Sequence, residues 1–263
     1  MKTKRKKIGL ALGSGGLKGF AHVGVIKVLE ENNIPIDFIA GSSIGALVGG
    51  LYAANKDIKQ LEEIIFTTDV KKGLGLLDPR LSKGLLRGRK IEEFVNHYLY
   101  RKNFDDLKIP LAVVATNLRT GEAEIIQNGD LSSAIRASIS VPIIFQPIKR
   151  EGKLLIDGGM TMPIPIKVLK QMGADIVIAV NLYNAFERPK RFPKISMSLI
   201  GNETLEIMLY QITKRDIVEA DVVIAPDVDG YSVIKALEQR QKIFHLGEES
   251  AREKINLIKE LIS

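Results

Sequence analysis

The sequence predicts an α/β protein built on a largely parallel sheet with helices on both faces, and three observations carry that reading. Apolar residues make up 45% of the chain but aromatics only 6%, with no Trp; Ile, Leu, Val and Ala dominate, as strands covered on both faces require. Short continuous apolar runs of strand length alternate with helix-length stretches. Glycine-rich turns follow the first two runs, where strands would pass into helices. No long polar or Gly/Pro-rich linker divides the 263 residues, so a single domain over 1–263 is expected.

Ile8 to Leu12 reads as a buried strand, Gly13 to Gly19 as a loop, and Phe20 to Glu31 as a helix with Val23, Val28 and Leu29 among its apolar positions. Ile36 to Ala40 reads as a second strand, with a helix from about Ser43. Further helical segments are expected over Asp57 to Thr67 and Ile91 to Tyr100. Strands over Leu111 to Thr116 and Ala123 to Gln127 flank the hairpin-like NLRTGE. Lys153 to Ile156 reads as a short strand ending at Asp157-Gly158-Gly159. Asp175 to Leu182 and Asp221 to Ala225 are two more strands, each preceded by a helical stretch, and Leu237 to Ile262 is a long helical pattern. Tyr183 to Ser196, with two prolines, four basic residues and no period, is expected to be an exposed loop.

The absence of cysteine excludes disulfides, thiol nucleophiles and Cys-ligated zinc. The three histidines, His22, His97 and His245, form no His-x-x-x-His pair, so neither a metal nor a cofactor is expected. The basic start MKTKRKK precedes an apolar run too short and too quickly interrupted by glycine for a secretion signal. Nor does any stretch approach the roughly 18 uncharged apolar residues of a membrane span; a cytoplasmic protein is expected. A formal charge of +7 favours anionic partners, a lipid surface before nucleic acid, because no nucleic-acid motif accompanies it.

Two glycine-rich turns carry candidate chemistry. Gly41-Ser42-Ser43-Ile44-Gly45 fits Gly-x-Ser-x-Gly, the sharp strand-to-helix turn that presents a nucleophilic serine, although a chain with 23 glycines can also produce the pattern by chance. Gly13-Ser14-Gly15-Gly16-Leu17-Lys18-Gly19 lies between the first strand and the first helix, where backbone amides can hold an anion. It is not spelled for a nucleotide: Lys18 stands where the dinucleotide pattern needs glycine, and no Gly-Lys-Ser/Thr follows. What remains is a bare amide-rich turn, as an acyl-transfer enzyme needs for its oxyanion. A serine also needs a base. The order Ser43, Asp157, His245 fits the common hydrolase triad, but His245 lies inside a long helical pattern and Ser43 follows only two strands. His22, beside the glycine loop, reads as a packed or capping residue. Asp157 ends a strand and is followed by two glycines, which should bring its carboxylate to the C-terminal edge of the sheet beside Ser43.

Four blocks together resemble the patatin-like phospholipase family, its bacterial members related to neuropathy target esterase most of all: GSGGLKGFAHVGVIKVLEE, GSSIGAL, ASISVPIIFQPI (Ala137 to Ile148) and DGGMTMPIP, in that order over residues 13 to 165. The resemblance implies a three-layer α/β fold and a Ser43/Asp157 dyad that works without histidine. It also implies an oxyanion hole in the loop of Gly15, Gly16, Lys18 and Gly19, with Lys18 at the family's basic position. Ser14 departs from the glycine of many members, which leaves the backbone amides in place. The expected activity is hydrolysis of lipid or other acyl esters; the alternative is a binding or regulatory protein on the same fold. A free aspartate is a poor base for a serine hydroxyl, so burial must raise its pKa. With a carboxylate base, activity is expected to persist below pH 6. The Tyr183 to Ser196 segment, with Arg188, Lys190, Arg191 and Lys194, is the candidate contact to an anionic membrane surface.

Overall fold

The computed structural model describes residues 5–67, 89–99, 102–184, 197–229, 231 and 233–263. Its first half alternates β1 (Ile8–Leu12), α1 (Phe20–Glu31), β2 (Phe38–Ser42), α2 (Ile44–Asn55), α3 (Ile58–Thr67), α4 (Arg89–Leu99), β3 (Leu111–Asn117) and β4 (Ala123–Ile126). Then come α5 (Leu131–Ser138), β5 (Ile148–Arg150), β6 (Lys153–Asp157), α6 (Ile166–Gln171), β7 (Ile176–Val180), α7 (Met197–Asp216), β8 (Val222–Ile224), α8 (Val233–Glu238) and α9 (Arg240–Ile262). Among the described residues one sheet runs in the order β5-β6-β3-β2-β1-β7-β8, with β4 paired to β3. The pairs β1–β2, β1–β7, β2–β3 and β7–β8 are parallel. No described helix is long and apolar enough to cross a membrane.

Period-two alternation along the strands divides the core. Leu10, Leu12, Ile39, Val113, Ile178 and Val180 join a large cluster with α1, α2, α5 and α9. Their neighbours Ala11, Ala40, Ala112, Val114, Val177 and Ala179 face the other way, onto Ile166, Val168 and Leu169 of α6. The resulting layers are helix, sheet and helix, and the small side chains on the second face let α6 lie close.

Most elements stand where the sequence places them, with a few differences. β2 starts at Phe38 and runs through Gly41 and Ser42, because pairing of Leu12 with Gly41 and of Ser42 with Val114 extends the ladder past the apolar run. Leu131–Ser138, unassigned from sequence, is a helix capped by Asp130, whose carboxylate accepts from Ser133 N–H at 2.6 Å. The long C-terminal pattern breaks at Gln239 into α8 and α9. Tyr183, expected to open an exposed loop, is buried; residues 185–196, with the four basic positions, lie outside the described residues.

The largest difference is one of direction. β6 is antiparallel to β3, and β5 to β6, so Asp157 is not at the C-terminal edge of a parallel strand. Val113 and Val114 of β3 pair with both β2 and β4, and Ala115 and Thr116 with both β4 and β6. A strand has two edges, so β2 and β6 share one of them and meet end to end. Ser42 pairs with Val114 and Asp157 with the next residue, Ala115. The register of β3 therefore brings the end of β2 and the end of β6 to one place.

Candidate active site

Ser43 follows the last residue of β2 and caps α2 with φ 54° and ψ −121°, a left-sided backbone that a non-glycine residue keeps only where the surroundings enforce it. The enforcement is visible. A β-carbon on Gly45 would overlap the Leu12 carbonyl oxygen at the end of β1, so α2 seats against that strand only with glycine there. The Ser43 N–H donates to Ser138 Oγ at 2.8 Å. Its hydroxyl donates to Asp157 Oδ2 at 2.6 Å, with Ser43 6% and Asp157 2% exposed.

Asp157 is held on several sides. Its other carboxylate oxygen, Oδ1, accepts from Gly159 N–H at 2.7 Å; its own N–H donates to Ser140 O at 3.0 Å; its carbonyl accepts from Thr116 Oγ1 at 2.8 Å. Burial raises the carboxyl pKa from 3.8 to about 6, against the bonds from Ser43 and Gly159 that favour the charged form. This is the shift that a carboxylate base requires. It also moves its titration into the range of an ordinary histidine, contrary to the expectation that activity persists below pH 6.

The first glycine turn is a short 3₁₀ helix, Gly16–Gly19, rather than a plain loop. Ser14 N–H is spent on Pro163 O at 2.8 Å and Lys18 N–H on Gly15 O at 3.3 Å, whereas the amides of Gly15 and Gly16 meet no backbone acceptor among the described residues. Gly16 is exposed with φ 57°, the left-handed region natural to glycine. Gly19 packs so close to Ile44, the residue after Ser43, that a β-carbon would overlap it. The Lys18 ammonium turns to Asp229 at 3.5 Å and Glu206 at 4.0 Å, over the Tyr183 ring.

All three histidines are among the described residues, and their contacts lead elsewhere. His22 is fully buried and its Nε2–H donates to Gly13 O at 2.7 Å; burial lowers its pKa to about 4, so it is neutral and braces the glycine turn from behind. His245 pairs with Glu248 on α9 at 2.6 Å, and His97 stacks edge-on against Tyr98 on α4. Sequence reasoning missed Ser138, Ser140 and Ser42. Each is fully buried, and Ser42 Oγ accepts from Ser14 Oγ at 3.1 Å.

Fold and site thus define a three-layer α/β protein with a serine at a strained strand-to-helix turn, bonded to a buried aspartate. The chain belongs to the patatin-like phospholipase family, whose model matches residues 10–170. An uncharacterized NTE family protein of Mycobacterium tuberculosis is 40% identical over 186 residues, 70% of this chain and 51% of the relative. A protein of Emericella nidulans named lysophospholipase nte1 is 33% identical over 183 residues, 67% of this chain and 12% of its own. The chain thus spans about half the length of the first relative and far less of the second. The crystal structure of VipD from Legionella pneumophila superposes with a TM-score of 0.68 at 16% identity, over 96% of this chain and 67% of that one, a likeness of fold.

Proposed function

We propose that the protein is a serine acyl hydrolase acting on lipid acyl esters, with Ser43 as nucleophile and Asp157 as base. The observation that carries the reading is the 2.6 Å bond from Ser43 Oγ to a buried carboxylate of raised pKa. Family membership supports it, and the name lysophospholipase borne by fungal relatives supports a lipid substrate. As Oγ attacks the ester carbonyl, its proton passes to Asp157 Oδ2; the carbonyl π pair moves to oxygen and gives the oxyanion. Collapse re-forms the carbonyl and breaks the bond to the alcohol, which takes the proton from Asp157 and leaves an acyl-Ser43 ester. Water repeats the sequence, releasing the fatty acid.

The amides of Gly15 and Gly16 are the oxyanion donors in this reading, helped by the positive end of α2. Lys18 and Gly19 shape the turn: the Lys18 amide already has an acceptor, and its ammonium is drawn to Asp229 and Glu206. A peripheral contact with an anionic lipid surface completes the proposal. The basic positions 188, 190, 191 and 194 are its candidates, and replacing all four by Gln should weaken binding to anionic vesicles.

A fluorophosphonate probe tests the core of the reading. Wild type should label at Ser43 and hydrolyse a panel of lysophospholipid and aryl esters, while Ser43→Ala should do neither. A folded wild-type chain inert to both probe and panel would favour a binding role.

A further inference from the structure

The α5 helix ends beside the dyad with a short run, Arg136-Ala137-Ser138-Ile139-Ser140, that touches both reacting residues by their backbones. Ser138 Oγ accepts the Ser43 N–H at 2.8 Å. Two residues later, Ser140 O accepts the Asp157 N–H at 3.0 Å. Ser140 is fastened in turn: its Oγ accepts from Arg136 Nη1 at 2.6 Å and donates to Arg136 O at 2.8 Å. The Arg136 guanidinium lies over the Phe145 ring, 5.2 Å from its centroid. Arg136, Ser138 and Ser140 are all fully buried.

This arrangement answers a problem the sheet leaves open. β2 and β6 meet end to end on one edge of β3, so no ladder hydrogen bond between them fixes the gap that the Ser43–Asp157 bond must span. Ser43 moreover holds a backbone that would relax if unrestrained. Burying a cation is costly unless it is well bonded, and here the buried guanidinium fixes a residue whose carbonyl accepts from the Asp157 amide.

We infer that Arg136, Ser138 and Ser140 are positioning residues: a clamp that references Ser43 and Asp157 to one rigid segment and so sets their separation. The inference rests on the reading of Ser43 and Asp157 as the reacting pair. A displacement of the order of 1 Å between reacting groups costs about a hundredfold in rate, so the clamp acts on kcat rather than on substrate binding.

The experiment measures Ser138→Ala, Ser138→Thr, Ser140→Ala and Arg136→Gln for kcat and KM on a short aryl ester, thermal melting, and hydrogen exchange of the Ser43 and Asp157 amides. Ser138→Ala should lower kcat about ten- to hundredfold with KM within about threefold. Exchange at the Ser43 amide should accelerate while the amides of β1 and β7 stay protected. Ser138→Thr, which keeps the hydroxyl, should recover much of the loss. Ser140→Ala and Arg136→Gln should lower kcat less, with faster exchange at Asp157. Wild-type kcat and Ser43 protection in folded Ser138→Ala would overturn the clamp; so would a loss of protection spread evenly over the sheet. If Ser138→Ala fails to fold, unchanged kcat and Asp157 exchange in Ser140→Ala would overturn it equally. A wild-type chain without esterase activity would instead overturn the reading of the site, and the exchange data would still decide whether the clamp holds the two backbones.

Discussion

In the proposed reaction Asp157 must be basic enough to take a serine proton and yet be charged while buried. Its pKa of about 6 is the compromise that burial and two hydrogen bonds reach. Activity as kcat/KM should therefore rise through about pH 6 and flatten above it. A limb at that pH does not separate a carboxylate from a histidine, so substitution must: Asp157→Asn should fall to background while His97→Gln and His245→Gln stay near wild type, in esterase assays of folded protein. The same shift bears on stability. A carboxyl whose folded pKa is raised contributes most below its unfolded pKa, near 3.8, and loses that contribution as pH rises through about 6. At pH 7 to 8, then, the ionised Asp157 carboxylate costs the fold up to about 3 kcal/mol. Asp157→Asn should melt higher than wild type there and lose the advantage toward pH 4; a lower melting temperature at pH 8 would contradict this.

At the scale of elements, the site depends on how tightly α2 and the first glycine turn approach the sheet. Gly45→Ala forces a β-carbon into the Leu12 carbonyl, and the shift of α2 should cost about 1–3 kcal/mol or more in denaturant unfolding. Ser42→Ala loses one buried hydroxyl bond, about 1 kcal/mol, and should keep much of its activity. These elements also show what a sequence can reveal. β1 and α1 were legible to the residue because an apolar run stops at Gly13 and a helical period starts at Phe20. β2 was not, since its last two residues are a glycine paired to Leu12 and Val113 and a serine paired to Val114. The direction of β6 was invisible, because Lys153 to Asp157 reads alike in a parallel or an antiparallel strand. α5 hid for another reason: Ser132, Arg136 and Ser138 are polar residues on buried faces, which erases the apolar period, although Asp130 before the helix was a readable cap. Ser138 and Ser140 lie in the stretch Ala137 to Ile148 that carries part of the family resemblance, and only their contacts reveal a use for them.

For the molecule as a whole, His22 is the counterweight to Asp157. Burial depresses its folded pKa from 6.5 to about 4, so its contribution is present above pH 6.5 and lost as pH falls through about 4, at most about 3 kcal/mol. The Asp157 contribution runs the other way over nearly the same window. Between pH 4 and 6 the two largely cancel. Urea unfolding of Asp157→Asn over this range should expose an acid sensitivity that wild type masks, and His22→Gln should show the opposite slope relative to wild type. Equal slopes in all three proteins would remove one or both shifts from the account.

The end-to-end meeting of β2 and β6 has a further consequence, in time rather than space. Ser43 and Asp157 are 114 positions apart in the chain, and contact between them waits until β3 has paired with both strands. Such distant contacts close late because the loop entropy must be spent first. During refolding, reactivity at Ser43 should return no earlier than the sheet itself, so the half-built chain carries an inert serine.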